Sequence, residues 1–388
     1  MAERIAFKKD SNLEDHSKAK VNLLGIYLNL YLSIIANDGY TQKINLFDMF
    51  CGAGLYKNGG KGSPLVILSI VKSVYEKIIK DKPLHKQAKI DCYFNDINSE
   101  SVDNLKKTID SEQLHDTQIG NINYSVSDYK NKLDNIKTII SKRNNKGFIF
   151  IDPCGYKDFS VYDIKKLMDC NGHAEVLLWL PTQFMYRFSD KGTPEVLTKI
   201  LEETTNFSNL KHTDNIYTFI DRFKDGLRNK LENYYVDTFT IKKEANTVFC
   251  LFFFTSHIRG FEKMLEAKWK LDAENGKGWS YENNSNQIGL FSGLVEKNEL
   301  EEKLKKFLSN NNRYNGEVFE FVLKNGYLTK HAVEILKNWK NTNRLEVIET
   351  STHKIKKNAF YLKYYKEESE NKKVYFKLNK DENKNRMD

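Results

Sequence analysis

Leu46-Phe47-Asp48-Met49-Phe50-Cys51-Gly52-Ala53-Gly54 is the stretch around which the chain is organised. A short apolar run ends in an acidic residue and passes into an Asp-x-Phe-x-Gly-x-Gly turn. A buried parallel strand ending this way delivers the backbone to a ligand, and two glycines let it pass close without a Cβ in the way. Taken alone, the turn fits any nucleotide-binding α/β fold. A second stretch narrows it: Phe148-Ile149-Phe150-Ile151-Asp152-Pro153-Cys154-Gly155-Tyr156 is another continuously apolar strand, buried on both faces, that ends in a carboxylate and a proline.

Composition bounds the answer. The 388 residues are 40% hydrophobic and 13% aromatic, enough for one large or two ordinary domains with real cores. The formal net charge of +9 points to an acidic partner such as nucleic acid, although a lysine- and asparagine-rich composition has the same effect. Five cysteines without a Cys-x-x-Cys pair argue against a disulfide framework or a zinc site, and no metal is expected. Residues 21–36 are interrupted by Asn22, Gly25 and Asn29, so they read as a core helix and not a membrane span. No signal peptide is evident, and the expectation is a cytoplasmic protein.

The two strand ends together resemble the site of class I S-adenosylmethionine-dependent methyltransferases, and in particular the amino-methyltransferases with their Asp-Pro-Pro-Tyr motif. Amine methylation requires a nitrogen lone pair in line with a sulfonium methyl. A carboxylate and a proline carbonyl accept the two N–H bonds while an aromatic ring stacks on the base. Asp152, Pro153 and Tyr156 supply these parts, with Tyr156 one place further on than in the motif. Cys154 admits another chemistry, because a thiolate in a Pro-Cys pair attacks C6 in pyrimidine C5-methyltransferases. The alternative is a small buried residue.

The remaining elements follow in order. Apolar residues from Val21 to Ile35 recur at helical spacing, so residues 16–36 form an amphipathic helix with His16, Lys18 and Lys20 at its start. These basic groups are within reach of a cofactor carboxylate or a phosphate, but solvation is their ordinary fate. After the glycine turn comes a loop, and Ser63-Pro64 reads as the N-cap and first turn of a helix over 65–79. Without a third glycine opening that helix, NAD and P-loop chemistry are disfavoured. Asp48, Phe50, Gly52, Gly54 and Ser63 are the residues expected to hold the methionine part of the cofactor. Asp96, at the tip of a strand over 90–94, is placed for the ribose hydroxyls, or else caps the helix over 99–109. Asp128, after a strand over 122–126, is placed for the adenine amine, with a similar capping alternative. Residues 161–168 read as a helix and 175–180 as a fifth strand. Residues 181–187, with Gln183, Tyr186 and Arg187, form a polar and aromatic rim facing substrate. A helix over 219–231 and an antiparallel pair over 234–240 and 246–255 close the sheet.

The chain also resembles the bacterial three-Cys-motif partner proteins. The likeness lies in Asp-x-Phe-x-Gly-x-Gly with the following Gly-Gly-x-Gly-Ser-Pro-Leu (46–68), Phe-Ile-Asp-Pro-x-Gly-aromatic (148–156), residues 175–187, and Gly260-Phe-Glu-Lys-Met-Leu-Glu-Ala-Lys-Trp269 with Asp272. It covers roughly residues 16–285. It implies a methyltransferase fold binding S-adenosylmethionine, and a partner with three cysteines encoded nearby. The family position after Asp-Pro is usually aromatic, so Cys154 departs from the pattern.

Residues 286–298 read as a linker, and the composition then shifts: residues 299–388 hold 20 Lys+Arg against 14 Asp+Glu, so +6 of the chain's +9 lies there. Helices over 299–308, 317–324 and 330–342, followed by strands over 344–349, 359–365 and 373–378, give the order of a winged helix. Lys330, His331, Lys337 and Lys340 then lie on or near the recognition helix and Lys354, Lys356 and Lys357 in the wing. Glu334 and Glu346 interrupt the basic face, and protein docking is the other use of such a module. The expectation is a doubly wound α/β domain over 1–285, with a seven-stranded, mostly parallel sheet, and a winged-helix domain over 299–388. The chain would methylate an exocyclic base amine of DNA or RNA, or else bind the cofactor without catalysis as a scaffold.

Overall fold

In the computed structural model of the chain, the described residues are 13–153, 155, 159–189, 193–204, 210, 213–243, 247–273, 276–280, 292–350 and 359–379. They divide into two compact units, one of residues 1–267 with 278–286, the other of residues 268–277 with 287–388.

The first unit opens with α1 (Asp15–Ile35), β1 (Lys43–Asp48), α2 (Ser63–Val74), β2 (Lys89–Asp96), α3 (Ser99–Ser111), β3 (Ile122–Val126), α4 (Leu133–Ile140) and β4 (Asn145–Ile151). It continues through α5 (Val161–Met168), β5 (Ala174–Leu180), α6 (Thr182–Arg187), α7 (Glu195–Thr204), α8 (Ile216–Lys230), β6 (Tyr235–Lys242), β7 (Val248–Thr255), α9 (Ile258–Leu271) and β8 (Gly278–Ser280). The last turn of α9 groups with the second unit. The sheet order is β3-β2-β1-β4-β5-β7-β6-β8. Strands β1 to β5 are parallel, and β7 runs antiparallel to both β5 and β6. This is a mostly parallel α/β sheet of eight strands, the short β8 being added beside β6 to the seven expected.

Apolar runs decide which strands are central. β5 is buried at all seven positions and β4 from Gly147 onward, because each lies between two neighbours with helices packed over it. β3, at the edge, is only half-buried. β1 pairs with β2 on one side and β4 on the other, so the strand order reverses between β1 and β4. At such a reversal, open α/β sheets bind ligands beyond the carboxyl ends of the strands.

Several boundaries differ from the sequence reading. Ser63 is the first residue of α2 and Gly62 is its N-cap. Residues 181–187, read as a rim, are mostly the short helix α6. The helices α4 and α7, which went unread, fill the connections before β4 and α8.

The second unit contains α10 (Ser292–Asn310), β9 (Arg313–Tyr314), α11 (Asn315–Lys324), α12 (Thr329–Asn341), β10 (Leu345–Glu349) and β11 (Val374–Leu378), with sheet order β10-β11-β9. Three helices and a three-stranded antiparallel sheet in this order form a winged helix. Leu300, Leu304, Val318, Val322, Leu336, Trp339 and Phe376 make its core. α10 begins at Ser292, inside the stretch read as linker. Residues 359–365 are not a strand: Tyr361 has φ +53°, which breaks an extended run, while Phe360 and Leu362 are buried. The third strand is instead β9, too short to show alternation. Lys354, Lys356 and Lys357 lie outside the described residues.

Candidate active site at the carboxyl ends of the strands

The turn after β1 is held by backbone and carboxylate together. The Cys51 N–H donates to the Asn95 carbonyl at 2.9 Å and the Gly52 N–H to Asp96 Oδ2 at 2.9 Å, tying the turn to the end of β2. Gly52 and Gly54 have φ of +57° and +77°, which L side chains rarely adopt. Their surroundings differ. A Cβ on Gly54 would meet Leu105 at 2.5 Å, so this glycine serves packing on α3, whereas a Cβ on Gly52 would meet nothing within 4 Å. The backbone at Gly52 therefore faces open space.

Asp48, the last residue of β1, has no exposed surface. Its Oδ1 accepts from the Phe50 N–H at 3.4 Å, and its Oδ2 has no hydrogen-bond partner among the described residues. Burial raises its carboxyl from 3.8 to about 7, partly opposed by the neighbouring Ser63 hydroxyl, while the nearby Asp152 adds to the rise and Lys20 opposes it. A carboxylate oxygen left unpaired in the interior is costly unless a ligand group meets it.

At the end of β2, Asp96 accepts from Gly52 and, through Oδ1, from the Asn98 N–H at 2.9 Å. It does not cap α3. Asn98 does, accepting from Glu100 at 2.9 Å and Ser101 at 3.3 Å. Asp128 is exposed and caps the turn Tyr129–Lys132 through the Lys130 N–H at 2.9 Å, the capping role that the sequence left as its alternative. Phe50 is half-buried, its ring 5.3 Å from that of Tyr129.

Asp152 follows β4 directly, half-buried, and Pro153 is buried beside it. Cys154 and Tyr156 lie outside the described residues. The Asp152 carboxylate makes an ion pair and hydrogen bond with Lys20 Nζ from α1. Lys20 is only 8% exposed, and its ammonium stands 4.9 Å from the centre of the Trp179 ring near the end of β5. Trp179 stacks on Phe249 at 4.9 Å, and Phe249 on His16, one turn before Lys20, at 5.4 Å. Burial lowers the His16 imidazole below its usual range. Burial raises the Tyr56 hydroxyl, which also feels Lys20, Asp152 and Asp48, so the loop after the glycine turn brings a phenol to the same place. The sequence raised Lys20 only as one of three basic residues and missed Trp179 and Tyr56. The available signal was a lysine on the stripe Lys20, Leu24, Tyr27, Tyr31, the buried face of α1.

The expected substrate rim is only partly free. Gln183 is half-buried on α6 and Arg187 is exposed at its end. Tyr186 turns inward: its hydroxyl donates to the Thr213 carbonyl at 3.2 Å and its ring packs 5.8 Å from Phe219. In the second unit, Lys330 and Lys337 are exposed on α12, Glu334 is exposed between them, and Lys340 is half-buried. His331 is structural, its Nδ1 accepting the Leu328 N–H at 3.2 Å while its ring lies 4.3 Å from Trp269.

A cleft of about 370 Å³ lined by Gln42, Lys43, Lys89, Asp91 and Asn121 opens at the opposite, amino-terminal end of the strands. Its charged groups are already engaged, Lys43 with Asp91 at 2.6 Å and Lys89 with the Gln118 carbonyl at 2.6 Å. Asp48, Asp96 and Asp152 lie at the carboxyl ends of the strands instead. Among the described residues no helix is long and apolar enough to cross a membrane, and no cluster of three or more His, Cys, Asp or Glu is arranged to hold a metal.

The model of the GMT-like wHTH domain family matches residues 278–352. No curated protein matches the chain. Solved structures similar to it include a Legionella pneumophila protein of the DUF519 family, with 14% identity, a TM-score of 0.40, and coverage of 68% of this chain and 94% of that one. The methyltransferase domain of bacterial CtHen1 has 14% identity and a TM-score of 0.28, covering 60% and 98%. An rRNA methylase from Streptococcus thermophilus has 8% identity and a TM-score of 0.29, covering 58% and 93%. Likeness of this degree does not bear on activity.

Proposed function

We propose that the chain is an S-adenosylmethionine-dependent methyltransferase acting on an exocyclic amine of a nucleic-acid base. The observation that carries this reading is the buried Asp48 carboxylate, one oxygen unpaired among the described residues, at the strand end that leads into an open glycine turn. An unpaired buried carboxylate, an open backbone at Gly52 and a second carboxylate at the tip of β2 fit a ligand bearing an ammonium group and a vicinal diol. Asp48 would take the ammonium, Asp96 the ribose hydroxyls with the lone pairs its two backbone partners leave free, and Asp128 the adenine amine. When bound, the cofactor supplies an electrophilic methyl group on a positively charged sulfur.

The acceptor side falls to Asp152 and Pro153, which stand where the strand order reverses. The Asp152 carboxylate and the Pro153 carbonyl would accept the two amine N–H bonds and aim the nitrogen lone pair. As the N–C bond forms, the S–C bond breaks with its electron pair left on sulfur, and the nitrogen releases one proton to Asp152. The basic winged helix, with Lys330, Lys337 and Lys340 on α12, would present the polymer through its phosphates.

The test is transfer of labelled methyl from S-adenosylmethionine into fractionated DNA, RNA and protein, alongside calorimetric cofactor binding. We expect label in one nucleic-acid fraction. Asp152→Ala should bind cofactor within about threefold of wild type and transfer at least about 100-fold more slowly. Cys154→Ala should keep its activity, and loss of transfer on that change would instead indicate a thiolate nucleophile. One observation favours a second reading, a cofactor-binding scaffold working with a three-cysteine protein: the Asp152 carboxylate is already occupied by the Lys20 ammonium. Cofactor binding with no transfer to any fraction would select that reading.

A further inference from the structure

We infer that Lys20 of α1 is a positioning residue for methyl transfer, holding the Asp152 carboxylate in the orientation that meets the acceptor amine; this rests on the methyltransferase reading above. Asp152 lies one residue past β4, where the strand ladder no longer fixes it. The hydrogen bond its carboxylate receives among the described residues comes from Lys20 Nζ to Oδ2. Among the described residues no hydrogen bond reaches Oδ1, which can then accept an N–H bond. A carboxylate held by one oxygen loses the side-chain rotation that would otherwise be lost at each turnover.

Lys20 is itself held. Its stem is buried on α1 and its ammonium packs on the Trp179 face, 4.9 Å from the ring centre. One turn earlier His16 stacks on Phe249, and Glu14 reaches both His16, at 3.2 Å, and Lys243, at 2.5 Å, fixing the start of the helix. The charges facing Lys20 are the carboxylates of Asp152 and Asp48, with the Tyr56 phenol beside them. Without the ammonium, two carboxylates would share one crevice. An ion pair this deeply buried adds little to stability over a well-packed apolar pair. Its place at the strand switch, and not elsewhere along α1, therefore fits a role in the reaction.

The experiment uses the full chain with Lys20→Met, which keeps the aliphatic contact with Trp179, and Lys20→Arg, which keeps the charge. Cofactor affinity, kcat and KM toward the labelled nucleic-acid fraction and the thermal midpoint are measured for each, alone and combined with Asp152→Asn. We expect Lys20→Met to bind cofactor within about threefold of wild type, to lose about 100-fold in kcat with little change in KM, and Lys20→Arg to recover part of the loss. On the Asp152→Asn background the same change should cost no more than about twofold, because its effect runs through that carboxylate. Wild-type kcat in Lys20→Met, cofactor affinity falling as far as kcat, or an undiminished loss on the Asp152→Asn background each overturns the inference. Should Lys20→Met fail to fold, Lys20→Gln takes its place, and a wild-type kcat in that variant overturns the inference as well. A wild-type chain that transfers no methyl at all overturns the methyltransferase reading, and this inference with it. An active wild type with an unaffected Lys20→Met overturns this inference alone.

Discussion

Asp48 carries the most consequence of any single residue. Burial raises its carboxyl to about 7 against 3.8 in the unfolded chain, so between these values the unfolded state is ionised while the folded state keeps its proton. Folding stability from this group is therefore full below about pH 4, falls as pH rises toward 7, and is level above. The span is on the order of 4 kcal/mol. Asp48→Asn should flatten that decline in urea titrations run from pH 4 to 8. It should also weaken S-adenosylmethionine binding at pH 8 by at least about tenfold, since an ammonium pairs with the ionised form. A wild-type affinity that does not rise with pH toward 7 would count against Asp48 as the ammonium partner. Sequence placed Asp48 by its position at a strand end. It could not show the unpaired oxygen, which depends on what the turn, α2 and β4 bring around it.

At the scale of elements, α1, β5, β7 and α9 meet at a buried carboxylate remote from the proposed chemistry. Glu175, at the start of β5, accepts from the Tyr27 hydroxyl and from Thr255 Oγ1, the latter at 2.8 Å. Burial raises its carboxyl to about 7 from 4.5, so it too withdraws stability as pH climbs between those values. Cofactor should offset the pH-dependent loss at Asp48 but not the one removed by Glu175→Gln, and denaturation with and without S-adenosylmethionine separates them. The same network explains Gly260 on α9. A Cβ there would meet Glu175 Oε1 at 2.1 Å and Thr255 Oγ1 at 2.8 Å. Gly260→Ala should therefore destabilise by about 1–3 kcal/mol, opposite to the gain of about 1 kcal/mol usual for this change within a helix, and a lowered thermal midpoint would show it. Long apolar runs such as β4, β5 and β7 were legible because burial on both faces leaves no polar alternation. The short elements β8, β9 and α6 were not, since two to six residues carry no period. Residues 359–365 alternate like a strand, yet the left-handed Tyr361 breaks the run, a backbone choice imposed by packing in the second unit.

For the whole molecule, the proposed function divides between the unit with the strand-end carboxylates and the unit with the exposed lysines of α12. If α12 contacts phosphates, Lys330→Gln with Lys337→Gln should weaken binding of the full chain to its nucleic acid roughly equally across sequences. The change should lower the slope of log affinity against log salt by about 2, as read by fluorescence anisotropy. An unchanged slope would assign the winged helix to protein docking. The sequence by itself determined the strand-end motifs, the core strands, and the helix order and basic balance of the last quarter. All of these depend on residue type and local period. Only the tertiary structure decided that Lys20, 132 residues away in sequence, closes on Asp152 and that Asp48 keeps an oxygen unpaired among the described residues. It also decided that Tyr186 faces the core and that Asn98, not Asp96, caps α3. Those outcomes depend on which distant side chains share a crevice. The order of strands sets that, and no local pattern encodes it.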